Sequence, residues 1–378
     1  MNKRTYFPLV DLLRGGAAIS VVVYHVIEHL KWTGFPISGP FLWFRIGWLG
    51  VDLFFVISGF VISLSAFSLL DRFEICQFRR QFAIHRIARI LPLHYLTCLV
   101  FLALVVPAII FQNGFLGNLI SHLGFLHNTD RSWQGAINGP NWSVGVEMQF
   151  YLLILLLAPS MRSCRWWLIP AIAFPIAWLW RYCALTMFPI DLVTGPYYRF
   201  WATTQLPGTL DQFAVGIVLS RLIRSSHKRK RLNFLTQRPL LILPIACLMM
   251  WLMLSLYWPK ASFWDYSLMV VFWRTFAAFS LGMFILLACS IRNQGIVNAT
   301  MPFRYLGTIS YGIYLWHLPV ILSIKRIEGL APGKALGLVL VLTILLASWS
   351  WHFFERQFIN AGKAHSISGG KFKDIPRI

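Results

Sequence analysis

Arg14 and His25 stand eleven residues apart in RGGAAISVVVYHVIEH, a stretch otherwise dominated by apolar and small side chains. Eleven residues is close to three turns of an α-helix, so the two side chains leave nearly the same face, about 16 Å apart along the axis. Glu28 and His29 follow His25 by three and four residues and crowd that face. A neutral imidazole held by a carboxylate is a general base near neutral pH. His25 with Glu28, or with Glu147 from NWSVGVEMQFY, could therefore deprotonate a hydroxyl. It could also serve as a nucleophile. The bland alternatives are that Arg14 snorkels to lipid headgroups, His25 satisfies a core hydrogen bond and Glu28 is a solvated helix end.

A second group is basic. Arg79, Arg80, Arg86 and Arg89 fall in RRQFAIHRIARILPLHY. Guanidinium groups pair bidentately with phosphate, so Arg86 and Arg89, three apart and followed by Pro92, form a candidate anion site. Arg79 and Arg80 read as ordinary interfacial anchors. The run HKRKR at 227–231 reads as a solvated loop touching anionic lipid. Six scattered cysteines without a CxxC or a zinc-like Cys/His spacing suggest neither a disulfide framework nor a metal site.

The elements that must position these residues are membrane helices. The chain of 378 residues is 57% hydrophobic and only 12% charged, about half the charge of soluble domains. The net charge of +21 fits cytoplasmic loops of a membrane protein better than a nucleic-acid surface. The N-terminal apolar run contains Arg14 and lacks a small-residue cleavage site, so it reads as a retained span. Apolar runs of spanning length occur at about 9–30, 46–68, 90–111, 142–160, 166–182, 206–223, 239–258, 266–290, 303–324 and 334–355. The segment 114–128 is apolar but too short to span, and reads as an interfacial or re-entrant helix. With the N-terminus inside, most of the 34 lysines and arginines fall on inner connections. The expected fold is an all-α bundle of about ten spans with both termini cytoplasmic. Residues 1–360 form its membrane domain and 361–378 a basic tail. This topology places His25, Glu28, Asp52, Glu147, Asp211 and His317 at a similar outer depth, with the arginines gathered inside. Asp52 could instead favour a helix start, and His317 could be a packed core residue.

The order of motifs is informative. Arg14 and His25 are followed by GVDLFFVISGF at 50–60, RIARILPLHY at 86–95, NWSVGVEMQFY at 141–151, SYGIYLWH at 310–317 and FFERQ at 353–357. Across about residues 8–360 the chain resembles the membrane-bound acyltransferase-3 family of polysaccharide and nodulation-factor O-acetyltransferases. Gln357 stands where the family often has proline. The resemblance implies transfer of an acyl group, usually acetyl from acetyl-CoA as co-substrate, to a carbohydrate hydroxyl, by a multi-pass protein of the bacterial inner membrane. It implies that Arg14 and His25 are the essential pair, and that Arg86, Arg89, Asp52, Ser58, Trp142, Glu147, Tyr314, His317 and Glu355 are motif residues. It also implies the stand-alone form, without a fused hydrolase-like domain.

Combining the two readings, Arg86 and Arg89 hold the nucleotide phosphates and the pantetheine arm passes Arg14 to deliver its thioester near His25. Trp43, Trp48, Trp133 and Trp142 serve as sugar platforms or interfacial anchors. The competing expectation is a proton-coupled transporter of a lipid-linked saccharide, because buried His, Asp and Glu residues also make proton relays.

Overall fold

The computed structural model describes residues 7–190, 195–226, 238–260 and 262–367. Every element among them is helical. In chain order the α-helices are α1 (Pro8–His29), α2 (Leu49–Leu70), α3 (Ile75–Val100), α4 (Phe115–Leu123), α5 (Trp142–Ser163), α6 (Leu168–Met187), α7 (Tyr197–Thr203) and α8 (Leu206–Ser226). They continue with α9 (Pro239–Tyr257), α10 (Arg274–Ser290), α11 (Gln294–Ala299), α12 (Met301–Thr308), α13 (Ser310–Ile324), α14 (Pro332–Ser350) and α15 (Arg356–Ile367).

Among the described residues, nine helical stretches are long and apolar enough to cross a membrane. A tenth is the pair α12 and α13, bent by 71° at the break between them. All-helical spans are what lipid demands, since the backbone finds no water there and must satisfy itself internally. The third span differs most from the sequence expectation: the continuous stretch is Ile75–Val105, not 90–111. At 31 residues it is longer than the roughly 20 needed to cross hydrocarbon. Arginine is a good helix former with a stem that lies along apolar surface, so Arg79, Arg80, Arg86 and Arg89 ride on the helix rather than in the loop before it. The apolar segment after it contains the short helix α4, as expected. At the other end, α15 runs to Ile367, into the expected tail; residues 368–378 and the basic run 227–231 lie outside the described residues.

The chain divides into two compact units, each assembled from separated segments. The first comprises Met1–Val51, Arg79–Gly145 and Ala299–Ile378. Here α1 packs on both halves of the bent pair and on α14. The approach of α1 to α12 is close: a Cβ on Gly307 would lie 1.8 Å from the Asp11 carbonyl oxygen, and one on Gly15 would lie 3.0 Å from the Gly307 nitrogen. Only glycine permits this contact, the small-residue packing that joins helices where no hydrophobic force drives them together. It fixes the turn of α1 that carries Arg14.

The second unit comprises Asp52–Phe78 and Val146–Asn298, in which α6 packs on α8, α8 on α10 and α10 on α9. Phe213 of α8 stacks on Phe150 with ring centroids 4.0 Å apart and meets Phe55 at 4.9 Å. Its interior also holds charge. Arg181, fully buried in α6, donates to both oxygens of Asp211 at 2.6 Å, to the Gly208 carbonyl at 2.7 Å and to the Val271 carbonyl at 2.7 Å. Arg181, at the end of the apolar run 166–182, thus belongs to a buried network in which Thr275 donates to Asp211 and Trp178 to Thr275. Such a pair persists in an apolar interior only when the remaining donors are also satisfied, as they are here.

Candidate active site

α1 carries Arg14 and His25, and the two halves of the bent pair lie along it, α12 at Gly15 and α13 at His25. Arg14 lies in the first half of α1, with Asp11 one turn before it at 4.0 Å. The i, i+3 spacing that brings this pair together was visible in the sequence, yet Asp11 was not singled out.

His25 meets a second histidine. Its Nδ1 lies 3.1 Å from Nε2 of His317 and 3.0 Å from the Val21 carbonyl oxygen. His317 is fully buried, and its own Nδ1 lies 2.6 Å from the Tyr314 carbonyl oxygen. A carbonyl only accepts, so the His317 proton sits on Nδ1 and its Nε2 offers a lone pair. Both neighbours of His25 Nδ1 are then acceptors, so that nitrogen carries the proton. His25, a partly buried residue, is left with the lone pair of Nε2 available. The sequence placed His25 and His317 at one depth; the direct ring contact, with centroids 4.9 Å apart, is new.

His317 is held from behind by the rest of α13. The Tyr314 hydroxyl lies 2.7 Å from Ser143 Oγ and donates to the Pro140 carbonyl at 3.0 Å. Asn138 donates to the Leu315 carbonyl at 3.0 Å. Trp316 donates to Ser350 at 3.3 Å, and Ser350 donates to Glu355 at 3.0 Å. Arg89 acts electrostatically on that same Glu355, while Arg86 is buried with its guanidinium over the Phe82 ring. Four of the expected motifs therefore converge in this unit: the α1 pair, RIARILPLHY, SYGIYLWH and FFERQ. Trp142, half-buried at the start of α5, belongs to it as well. Glu28 is exposed one turn beyond His25.

The remaining site residues lie in the second unit. Glu147 Oε1 accepts from Ser58 at 2.6 Å and from Tyr151 at 2.7 Å. Asp52 sits in the first turn of α2, accepts from Gln212 at 2.7 Å, and has Arg274 at 3.9 Å. It is thus both a helix-start carboxylate and part of the buried charge network. Among the described residues no cluster of His, Cys, Asp and Glu is arranged to hold a metal ion.

One cluster escaped the sequence reading. His122 and His127, in and after α4, stack with centroids 4.0 Å apart, and His94 lies against His127 at 5.9 Å. Burial keeps both imidazoles neutral, His122 pushed down to about 3 and His127 lowered in the same direction. Both folded-state values lie below the unfolded one, so stability is complete above about pH 6.5 and is lost as pH falls toward the folded values. Each histidine then costs roughly 1.4 kcal/mol per pH unit. Hydrogen exchange over residues 115–141 is expected to accelerate between pH 7 and pH 5 beyond its intrinsic rate. Equal protection at both pH values would mean these imidazoles already titrate normally.

Comparison with known proteins follows the same lines. The profile of a family described as an acyltransferase domain (acyltransferase-3) matches residues 7–354. The chain is 27% identical to the putative peptidoglycan O-acetyltransferase YrhL of Bacillus subtilis (strain 168), over 94% of the chain and 55% of that protein. It is 26% identical to the peptidoglycan O-acetyltransferase OatA of Listeria monocytogenes, over 98% of the chain and 58% of that protein. To the O-acetyltransferase OatA of Staphylococcus aureus (strain NCTC 8325 / PS 47) it is 24% identical, over 94% of the chain and 57% of that protein. The chain thus spans little more than half the length of these curated relatives. No solved structure matches it. The family profile covers the histidine pair, the glycine contact that seats α1 and nearly the whole set of spans, and this chain belongs to the acyltransferase-3 family.

Proposed function

We propose that the chain is an O-acyltransferase of the bacterial inner membrane, moving acetyl from cytoplasmic acetyl-CoA to a hydroxyl of a cell-surface or lipid-linked carbohydrate. The observation that carries this reading is the His25–His317 pair, which leaves the Nε2 lone pair of His25 for an acceptor hydroxyl. The relatives' names support a glycan acceptor, peptidoglycan among them.

In the proposed reaction His25 Nε2 takes the proton of the acceptor hydroxyl as its oxygen attacks the thioester carbonyl. Collapse of the tetrahedral intermediate breaks the carbon–sulfur bond, and the departing thiolate recovers the proton from the imidazolium. His317 accepts from His25 Nδ1 throughout and so holds the productive tautomer. An imidazole in that place orients the base without the charge an aspartate would add. Glu28, one turn beyond His25 on α1, supplies a carboxylate that favours the imidazolium. Arg14, Arg86 and Arg89 hold the donor, the last two by its phosphates. Trp142, Tyr314 and Glu355 brace this site within the first unit, and Asp52, Ser58 and Glu147 are motif residues of the second. The direction of the reaction requires the N-terminus, and with it the basic start of α3, to face the cytoplasm, as the distribution of basic residues favours.

The test uses sealed vesicles of known orientation with radiolabelled acetyl-CoA on the cytoplasmic side alone. Label is expected on membrane glycan, and not with His25→Ala. No label and no thiol release across a panel of acyl-CoA donors and acceptors would overturn the reading in favour of a transporter. Separately, Arg86→Ala and Arg89→Ala together are expected to weaken acetyl-CoA binding at least ten-fold by calorimetry, given roughly 1.5–3 kcal/mol per charged hydrogen bond. Unchanged affinity would place the nucleotide elsewhere.

A further inference from the structure

A groove of about 760 Å³ lies between α3 and the last helical span, within the first unit. Its volume is in the ~300–1,000 Å³ range of sites that hold one small molecule. Ile87, Leu91 and Leu99 form one wall and Phe354 and Phe358 the other. The two helices cross tightly at its floor, where a Cβ on Gly362 would lie 2.9 Å from that of Ala88. Ile87 and Leu99 are exposed, so the groove opens outward. Both walls belong to membrane-length stretches, Ile75–Val105 and Pro332–Ala364. The open side of such a groove faces hydrocarbon, and an acyl chain fits its lining.

Its rim is different in kind. Lys363 follows Gly362 directly, is half-buried, and lies within electrostatic range of His85 on α3, next to Arg86. An apolar slot with a cationic rim is complementary to an amphiphile with a hydrocarbon tail and an anionic head. We infer that this groove binds one anionic phospholipid, its chain between α3 and the last span and its phosphate at Lys363. The basic residues stand at the end of α3 that the charge distribution assigns to the cytoplasmic leaflet, where anionic lipids give the surface its negative potential.

The experiment is native mass spectrometry of the full chain released from detergent, titrated with phosphatidylglycerol and with phosphatidylcholine of matched chains. The wild-type chain is expected to retain one phosphatidylglycerol in preference to phosphatidylcholine. Lys363→Gln should weaken phosphatidylglycerol retention about five-fold, the factor one basic residue near the surface supplies, and leave phosphatidylcholine unchanged. Leu99→Trp and, independently, Ile87→Trp fill the mouth from exposed positions and should displace the retained lipid. Leu179→Trp, an exposed position on α6 outside the groove, should not. Equal retention of the two lipids by the wild-type chain would overturn the inference. So would phosphatidylglycerol retention indifferent to Lys363→Gln, groove tryptophans that behave like Leu179→Trp, or a second copy of the chain bound in place of lipid. No acyl transfer is measured, so the inference stands or falls separately from the proposed function.

Discussion

His25→Ala is expected to lower acyl transfer by roughly 10²–10⁴-fold, the usual contribution of a positioned general base, while the chain still inserts and purifies as the wild type does. The loss should be chemical, because His25 is only partly buried and its removal leaves α1 seated on α12 through Gly15 and Gly307. Added imidazole should restore part of the activity if the missing group is a base. The expected result at His317 distinguishes a positioning residue from a packing one. His317→Phe fills the space but offers no lone pair to His25 Nδ1, so the ring loses its fixed tautomer and kcat should fall with little change in KM. His317→Gln keeps an acceptor oxygen on that side and should recover part of the loss. Equal activity of the Phe and Gln variants would show that His317 acts by packing alone. Full turnover by His25→Ala would remove the proposed chemistry altogether.

Arg181→Ala is expected to produce the largest loss of stability. The side chain is fully buried, and its removal leaves the Asp211 carboxylate in an apolar interior with Thr275 as its remaining side-chain donor. Removing one member of a buried pair typically costs about 3–5 kcal/mol, because the partner's charge is stranded. Two carbonyl oxygens, of Gly208 and Val271, lose donors at the same time. A chain with both charges removed, Arg181→Met with Asp211→Leu, strands no ion and should unfold closer to the wild type than Arg181→Ala does. Thermal unfolding in one detergent compares all three. If the double variant is the least stable, the pair contributes net stability in its own right rather than merely being costly to break.

Much of the fold was legible along the chain. A helical stretch of hydrocarbon length announces itself locally, because lipid leaves the backbone no partner outside the helix. Ten apolar runs therefore correspond to nine long helices and one bent pair among the described residues. The edges were less legible where charge and helix coexist. Arg79 to Arg89 looked like a connection, yet their long stems extend α3 some three turns below its apolar part. The bend between α12 and α13 had no clear mark, since no proline or glycine occupies Ile309 between them.

At the candidate site, spacing placed Arg14 and His25 on one face of one helix, and hydropathy placed His317 at a similar depth. Those are properties of single helices and of the membrane normal, and a sequence carries both. Which side chain meets which across helices is another matter, because it depends on rotation about each axis and on how closely two backbones approach. Gly307 against the Asp11 carbonyl fixes where α12 meets α1, and only with α13 in place does His317 reach His25 Nδ1. The same holds for Arg181, at the end of the apolar run 166–182, which Asp211, thirty residues away, holds in the core. The sequence by itself determined the spans, the family and the residues fit for chemistry. The tertiary structure decided their partners, since hydrogen bonds between helices are set by packing that no local pattern encodes.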